Sequence, residues 1–244
     1  MILGVIFDLG STLIHFTGDW DQIWQASLKE LEAALQDAGL ETLPQGVTEE
    51  FARRMDAYRQ DRLDDHKERT TASILLESLA ALGVPRPEDD KIRAVLARMY
   101  APSEEYWKPV PGLDSTLNEL QARGLRMALL SNAGDEANVQ RLIDHAGIRH
   151  YLDPILISAA LGVRKPAPKP FRIILSQWNL DPSQVVMIGD RLDQDILGAQ
   201  RAGLHQIWLQ AYAEPGQSIQ QRPEWIGDTL AQVPALIEQL DSKG

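Results

Sequence analysis

Short apolar runs alternate with amphipathic helical segments in the second half of the chain. Runs of this length, bounded by turn residues, are typical of buried strands, whereas apolar residues at three- and four-residue spacing predict helices. Strands that alternate with helices form a mostly parallel sheet, because each right-handed crossover returns the chain in the same direction. The predicted fold class is therefore α/β, with a doubly wound sheet covered by helices on both faces. The predicted strands are residues 2–7, 127–130, 155–157, 185–188 and 206–209, and the predicted helices of this half are residues 112–123, 135–146, 170–178, 192–202 and 229–240.

The first predicted strand is separated from the others by a block that contains only helical patterns. The simplest architecture is an α/β core made of residues 1–16 and 106–244, with an all-helical insert at residues 17–105. Within the insert, helices are predicted at residues 20–38, from Thr48 onward with its hydroxyl as the N-terminal cap, at residues 74–82 and at residues 88–100.

Polar residues stand where the predicted strands end. Asp8 directly follows the first apolar run, and Asp190 follows a later one. Ser131 and Asn132 follow the second strand of the predicted sheet. The carboxyl ends of parallel strands meet at one edge of the sheet, where open α/β sheets bind ligands. A carboxylate at the end of a buried strand does little for stability, so this pattern favours a functional site.

Two more charged residues are placed near that edge. Lys165 lies in the segment GVRKPAPKPF, whose prolines stiffen the backbone around it. Asp195 follows Asp190 by five residues and stands near the start of a predicted helix. Each residue alone has an ordinary structural interpretation, Lys165 as a solvated charge and Asp195 as a helix cap.

Composition limits the classes of partner. The formal net charge is −11, from 35 acidic and 24 basic residues, and such a field repels nucleic acid and anionic membranes. A small phosphorylated substrate stays compatible with this charge, because a metal ion or a local lysine can invert the field within one cleft. The chain has no cysteine, which excludes disulfides and thiolate chemistry. No apolar run reaches the roughly 18 residues of a membrane-spanning helix, and no secretory leader is evident, so we expect a cytoplasmic protein.

The polar residues stand in four motifs that together resemble those of the haloacid dehalogenase-like superfamily of hydrolases. The resemblance covers nearly the whole chain, and the four motifs occur in the order of that family. It implies a Rossmann-like core with a helical cap, here residues 17–105, inserted after the first strand. The motifs are VIFDLGSTL with Asp8, LLSNA with Ser131 and Asn132, residues 162–171 with Lys165, and VMIGDRLDQDILGAQRAG with Asp190 and Asp195.

The resemblance implies phosphoryl transfer to a carboxylate. Asp8 is the implied nucleophile, which accepts a phosphoryl group as an aspartyl-phosphate that water later hydrolyses. Ser131, Asn132 and Lys165 are the implied binding groups for the phosphoryl oxygens, and Ser131 and Lys165 also stabilise charge during transfer. The expected substrate is a small phosphorylated metabolite.

A divalent cation is implied as well, because Asp8 and a phosphate dianion repel each other. Mg²⁺ prefers one or two carboxylates together with water and substrate oxygens. Asp8 and Asp190 are the expected carboxylate ligands, and the resemblance adds the backbone carbonyl of Gly10. Asp195 is expected close by, either in the outer shell of the metal or bonded to Lys165.

One position departs from the usual pattern of the family's phosphatases. They carry a second aspartate two residues after the nucleophile, which protonates the leaving oxygen and then activates water, and here that position is Gly10. General acid–base help of this kind is worth roughly 10²–10⁴-fold in rate. Three interpretations stay open: a substrate with a good leaving group, a substitute group such as His15, Ser11 or an insert side chain, or a protein that binds phosphate ligands without efficient turnover.

A dehalogenase is the alternative of different chemistry. Dehalogenases of the superfamily also lack the second aspartate and need no metal, but they do not keep the paired acidic residues of the fourth motif. Retaining both Asp190 and Asp195 would crowd carboxylates around Asp8 without a cation, which favours the metal-dependent interpretation. In the insert, Trp20 and Trp24 stand one turn apart and are interpreted as packing residues, with a platform for substrate as the alternative. The charged run that includes His66, Lys67 and Arg69 is interpreted as a solvated face that could also meet an anionic substrate.

Overall fold

A six-stranded parallel sheet forms the centre of the fold in the computed structural model, which describes residues 1–39, 44–217 and 222–243. The strand order is β5-β4-β1-β6-β7-β8, so the first strand of the chain lies between β4 and β6. Phe7 at the end of β1 pairs with Leu129 on one side and with Ile188 on the other. The carboxyl ends of three neighbouring strands therefore lie side by side. The strands of this sheet are β1 (Gly4–Phe7), β4 (Arg126–Ser131), β5 (Ile155–Ile157), β6 (Val185–Gly189), β7 (His205–Leu209) and β8 (Trp225–Gly227).

Helices cover both faces of the sheet, as the alternating pattern predicts. Val5 and Phe7 point into one apolar cluster with helices α5, α6 and α10, and Ile6 points into another with α8 and α9. This alternation follows from the two-residue period of a strand, and it confirms the predicted doubly wound α/β class. The helices of this part are α5 (Leu113–Ala122), α6 (Glu136–His145), α7 (Ser158–Leu161), α8 (Pro168–Trp178), α9 (Leu197–Ala202) and α10 (Val233–Lys243).

The block between the first and second strands of the sheet is helical and buries an apolar cluster of its own. Leu31, Phe51 and Leu75 in that cluster have no exposed surface. The first helix begins after Asp19, whose side chain accepts a hydrogen bond from the Gln22 backbone and caps the helix. The four helices are α1 (Trp20–Asp37), α2 (Val47–Asp65), α3 (Thr71–Ala81) and α4 (Asp89–Glu104).

A two-stranded antiparallel ribbon lies where the chain leaves the core and where it returns. It joins β2 (Ile14–Phe16) to β3 (Trp107–Pro109). The sequence pattern did not predict this ribbon or β8, because none of these strands is the continuous apolar run that identifies the equally short strand β5. The division between an insert at residues 17–105 and the rest stays a prediction, and the ribbon lies next to both proposed boundaries.

Two local predictions were corrected by the structure. Thr48 does not cap the second helix: Gly46 stands at its start in the left-handed conformation, and the Thr48 hydroxyl donates to Glu49 instead. The structure confirms a helical segment at residues 192–202, but its first turn, Leu192–Ile196, is π-helical. Such turns often mark functional sites, and this one carries Asp195. None of the helices in the described ranges combines the length and the low polarity that crossing a lipid bilayer requires.

Candidate active site

Three carboxylates converge at the carboxyl edge of the sheet. Asp8 follows β1, Asp190 follows β6, and Asp195 reaches the same place from the π-helical turn. Each offers an oxygen within 4.8 Å of the others, and all three residues are buried. The predicted meeting of Asp8 and Asp190 is thus what the structure shows.

Lys165 lies among these carboxylates. Its side chain is 1 % exposed. The ammonium nitrogen donates to Asp8 Oδ1 at 2.5 Å and to the Leu130 carbonyl at 2.6 Å. It also lies 2.7 Å from Asp195 Oδ1, where the contact is an ion pair without the alignment of a hydrogen bond. A single ammonium therefore balances two of the three acidic groups.

The electrostatics of the cluster depart strongly from those of free side chains. Burial, together with the charges of Asp8 and Asp195, raises the pKa of Asp190 to about 9. Burial, together with the Asp8 charge, also raises the pKa of Asp195 to about 6, although Lys165 opposes that shift. Burial lowers the pKa of Lys165, but the carboxylates of Asp195 and Asp8 outweigh it and the net pKa is raised. The cluster therefore has more negative charge than its one cation compensates.

These residues fit a hard divalent cation. The donors are carboxylate oxygens, the ligand type that Mg²⁺ prefers, and their mutual repulsion is what a bound cation would relieve. Asp8, Asp190 and Asp195 are the described side chains that could hold it. The carbonyl of Gly10 as a further ligand stays a prediction.

Asn132 positions the loop that carries Lys165. Its Oδ1 accepts from the Lys165 backbone at 2.9 Å, and its Nδ2 donates to the Lys165 carbonyl at 3.0 Å and to Gln194 at 2.8 Å. Its amide is therefore engaged within the protein, although the residue also lines the cavity above Asp8. A direct contact of Asn132 with substrate stays a prediction, whereas the support of Lys165 is a role that the sequence did not indicate.

Gly189 makes room for Asp195. A Cβ at Gly189 would lie 2.2 Å from Asp195 Oδ2, the oxygen that accepts from the Arg191 backbone at 3.0 Å. We expect Gly189→Ala to displace Asp195 and to destabilise the fold by about 1–3 kcal/mol, the usual cost of overpacking. Urea unfolding measures this. Gly10→Ala is the matched control, because a Cβ there meets its nearest neighbour at an ordinary 3.6 Å. Equal losses in both variants would contradict this account.

The space beside Gly10 is faced by an aromatic ring. The nearest atoms to a Cβ at Gly10 belong to Trp107, at 3.6 Å. Of the predicted substitute acids, Ser11 lines the cavity above Asp8, whereas His15 is not among the described residues that line it and stacks on Tyr212 with ring centroids 4.3 Å apart. The ring of His15 is thus engaged by Tyr212 rather than facing that cavity.

A cavity of about 310 Å³ opens above Asp8, bounded by both the core and the helical block. Ser131 lines it together with Asp8 and Asp190. A second cavity of about 450 Å³ adjoins it and extends between the insert helices. Trp20 and Trp107 line both, so the two cavities share a wall.

A buried junction between the helical block and the core was not predicted. Glu68 is 8 % exposed and accepts from the Tyr58 hydroxyl at 2.5 Å and the Ser158 hydroxyl at 2.7 Å. Its Oε2 lies 3.5 Å from the guanidinium of Arg164, the neighbour of Lys165. The interpretation of the charged run as a solvated face is wrong for Glu68, because sequence periodicity does not reveal which member of such a run contacts residues from a distant segment.

The flanking members of that run have partners as well. His66 Nε2 lies 3.3 Å from an Arg201 nitrogen, and Arg69 pairs with Glu77 at 2.5 Å. The backbone of Lys67 pairs with that of Val163 in an isolated antiparallel β-bridge. Of these three residues, Arg69 lines the second cavity.

Comparisons with known proteins find similar sequences and a similar fold. A glyceraldehyde 3-phosphate phosphatase from Methanopyrus kandleri is 29% identical over 204 residues, which cover 84% of this chain and 82% of that protein. A pyrimidine 5′-nucleotidase from Escherichia coli is 36% identical over 135 residues, which cover 54% of this chain and 58% of that protein. A solved phosphatase structure from Thermococcus onnurineus superposes with a TM-score of 0.65 at 17% identity, covering 97% and 98% of the two chains, which supports the fold. Residues 2–203 match the family described as haloacid dehalogenase-like hydrolase, and since this match spans most of the sequence, the chain belongs to that family of hydrolases.

Proposed function

We propose that the protein is a Mg²⁺-dependent phosphohydrolase that acts on a small phosphorylated metabolite through an aspartyl-phosphate at Asp8. The observation that carries this proposal is the buried cluster of three carboxylates and one ammonium at the base of a cavity. The similarity to proteins named as phosphatases supports the same reaction class. When bound, Mg²⁺ would shield the Asp8 carboxylate from the negative charge of the phosphoryl group.

Asp8, Lys165 and Ser131 would have separate roles in the reaction. An Asp8 oxygen forms a bond to phosphorus while the bond between phosphorus and the leaving oxygen breaks, and that oxygen departs with the electron pair. Lys165 and the Ser131 hydroxyl offset charge on the phosphoryl oxygens. Water then attacks phosphorus, releases phosphate and restores the Asp8 carboxylate. Preorganised donors of this kind contribute on the order of 3 kcal/mol each to lowering the barrier.

The helical block would serve as a cap over this reaction. We propose residues 17–105 as the cap domain and residues 1–16 and 106–244 as the core, with the β2–β3 ribbon as the connection. The cap helices form one side of both cavities. They would therefore determine which substrates fit and exclude bulk water during phosphoryl transfer.

A non-catalytic phosphate-binding protein is the second candidate, because Gly10 removes the usual acid and Trp107 faces that space. Hydrolysis of p-nitrophenyl phosphate with Mg²⁺ and in EDTA separates the candidates, with Asp8→Asn as the control. Mg²⁺-dependent turnover that this variant lacks is the expected result. Phosphate binding without turnover by either form would favour the second candidate, and halide release from 2-haloacids in EDTA would indicate carbon–halogen chemistry instead.

Gly10→Asp tests whether leaving-group protonation limits the rate. The backbone there tolerates a Cβ, and the new carboxyl group would stand beside Trp107 near the leaving oxygen. We expect alkyl phosphates to be accelerated by about tenfold or more, and aryl phosphates little, because general acid help matters most for poor leaving groups. Rates across a leaving-group series measure this, and an equal effect on all esters would refute it.

A further inference from the structure

Three aromatic side chains surround the path from Asp8 into the second cavity. Trp20, Trp107 and Tyr100 line both cavities. Phe16 ties two of them together, since its ring lies edge-on to Trp20 at 4.8 Å and to Trp107 at 5.3 Å between centroids. Trp20 is nevertheless 49 % exposed, an unusual state for the largest apolar side chain. An exposed indole at the mouth of a reaction cavity offers a face for a flat ligand.

The cationic side chains around the second cavity are already paired. Arg59 contacts Asp56 at 3.0 Å and lies over the Trp24 ring at 5.3 Å from its centroid. Arg69 contacts Glu77 and lies over the Tyr58 ring. Each guanidinium is thus held by a carboxylate and by an aromatic face.

The cations nearer the nucleophile are paired too. Arg164 faces Glu68, and Arg191 contacts both Asp193 and Glu214. Glu68 and Glu214 themselves line the second cavity. Among the described residues that line the two cavities, every cationic side chain therefore has an acidic partner, and a second anionic group on a substrate would find no unpaired cationic side chain among them.

The reaction proposed at Asp8 also limits which leaving groups can depart. Residue 10 is a glycine faced by the Trp107 ring, so this position offers no carboxyl group to protonate the leaving oxygen. A phenol-type oxygen, with a pKa of about 10, leaves as the anion far more readily than an oxygen whose conjugate acid resembles water, with a pKa of about 16. An aryl ester needs no proton when its bond to phosphorus breaks.

We propose that the substrate is a monophosphate ester of a neutral aromatic alcohol, with its ring seated between Trp20 and Trp107. This rests on the proposed phosphohydrolase function. The Asp8 oxygen bonds to phosphorus, the aryl oxygen departs as a phenolate, and water later releases phosphate from Asp8. The indole rings hold the leaving group by its face. The arginines among the described cavity residues are all paired, so none of them is free to bind a carboxylate or a second phosphate.

Four esters separate recognition of the ring from leaving-group ability. Phenyl phosphate is expected to exceed phosphoglycolate in kcat/KM by on the order of 100-fold. 2-Phenylethyl phosphate and ethyl phosphate both release an alkyl oxygen, so their ratio reports the ring alone, and we expect about tenfold in favour of the ring. A preference for phosphoglycolate, or a ratio near one, would overturn the proposal.

Two tryptophan variants locate the ring. Trp20→Leu is expected to bring the ratio for the 2-phenylethyl and ethyl esters close to one, whereas Trp225→Leu, on the edge strand β8 and outside both cavities, keeps it. Circular dichroism checks that both variants are folded. An unchanged ratio in Trp20→Leu would contradict the placement.

Binding measured by calorimetry distinguishes this inference from the proposed function. Phenylphosphonate, which is not hydrolysed, is expected to bind at least tenfold more tightly than phosphonoacetate in the presence of Mg²⁺. If that preference holds while no ester is hydrolysed, the proposed reaction fails and the ring site stands. If esters are hydrolysed but phenylphosphonate has no advantage, the reaction stands and the ring site fails.

Discussion

Lys165→Met is expected to lower the free energy of unfolding by about 3–5 kcal/mol in EDTA, the cost of removing one partner of a buried charge cluster. The methionine chain is similar in length but carries no charge, so Asp8 and Asp195 would lose their common cation inside the core. The Leu130 carbonyl would also lose the donor that lies 2.6 Å away. Urea unfolding of wild type and variant measures the difference. Phosphatase activity is expected to fall together with stability, because the same ammonium contacts Asp8, the proposed nucleophile.

A second substitution tests whether the loss of stability in Lys165→Met comes from unpaired carboxylate charge. Asp195→Asn in the Lys165→Met background removes one of the two carboxylates that have lost their cation. We expect part of the lost free energy of unfolding to be recovered. Asp195→Asn alone leaves the ammonium paired with Asp8 and is expected to cost less than Lys165→Met. The double-mutant cycle gives the coupling between the two side chains. Additive losses, or an unfolding midpoint in Lys165→Met equal to that of wild type, would show that the cluster does not contribute in this way.

The sheet and the core of the site could be predicted from the sequence because both follow from local rules. Buried strands show as apolar runs, alternation with helices implies parallel pairing, and parallel pairing brings Asp8 and Asp190 to one edge. The resemblance then placed Lys165 beside them. Of the two predicted positions for Asp195, the one beside Lys165 is occupied through an ion pair, and the carboxyl group also lies within reach of a cation shared with Asp8 and Asp190.

The parts that escaped prediction depend on contacts between distant segments. The approach of Trp107 to Gly10 joins residues almost a hundred positions apart, and nothing near either residue indicates it. Burial of Glu68 depends on Ser158 and Arg164, which belong to the core. The role of Asn132 as support for the Lys165 loop has the same origin. Sequence periodicity reports which face of an element is buried, and it does not report which partner the face meets.

Magnesium is expected to raise the melting temperature of the protein, and to raise it more at pH 8 than at pH 5. Free carboxylates titrate near pH 4, whereas the pKa of Asp190 is raised to about 9 and that of Asp195 to about 6 in the fold. Between these values the folded state binds more protons than the unfolded state, so without metal the free energy of unfolding falls as the pH rises through this range. A bound divalent cation offsets the carboxylate charge that these protons would otherwise neutralise. Mg²⁺ therefore stabilises the fold most at the higher pH, where the carboxyl groups have lost their protons.

The size of this effect follows from mass action. At a Mg²⁺ concentration 100 times the dissociation constant the gain is about 2.7 kcal/mol, or roughly 5–10 °C for a chain of this size. Asp190→Asn is expected to remove most of the rise at pH 8. Asp193→Asn is the matched control, since Asp193 lies three positions further on, pairs with Arg191 and stands outside the cluster, so its loss should leave the rise intact. Scanning calorimetry at constant ionic strength measures all three proteins. A rise of the same size in Asp190→Asn would mean that the cation binds elsewhere, and the carboxylate cluster could then not be what prepares Asp8 for reaction.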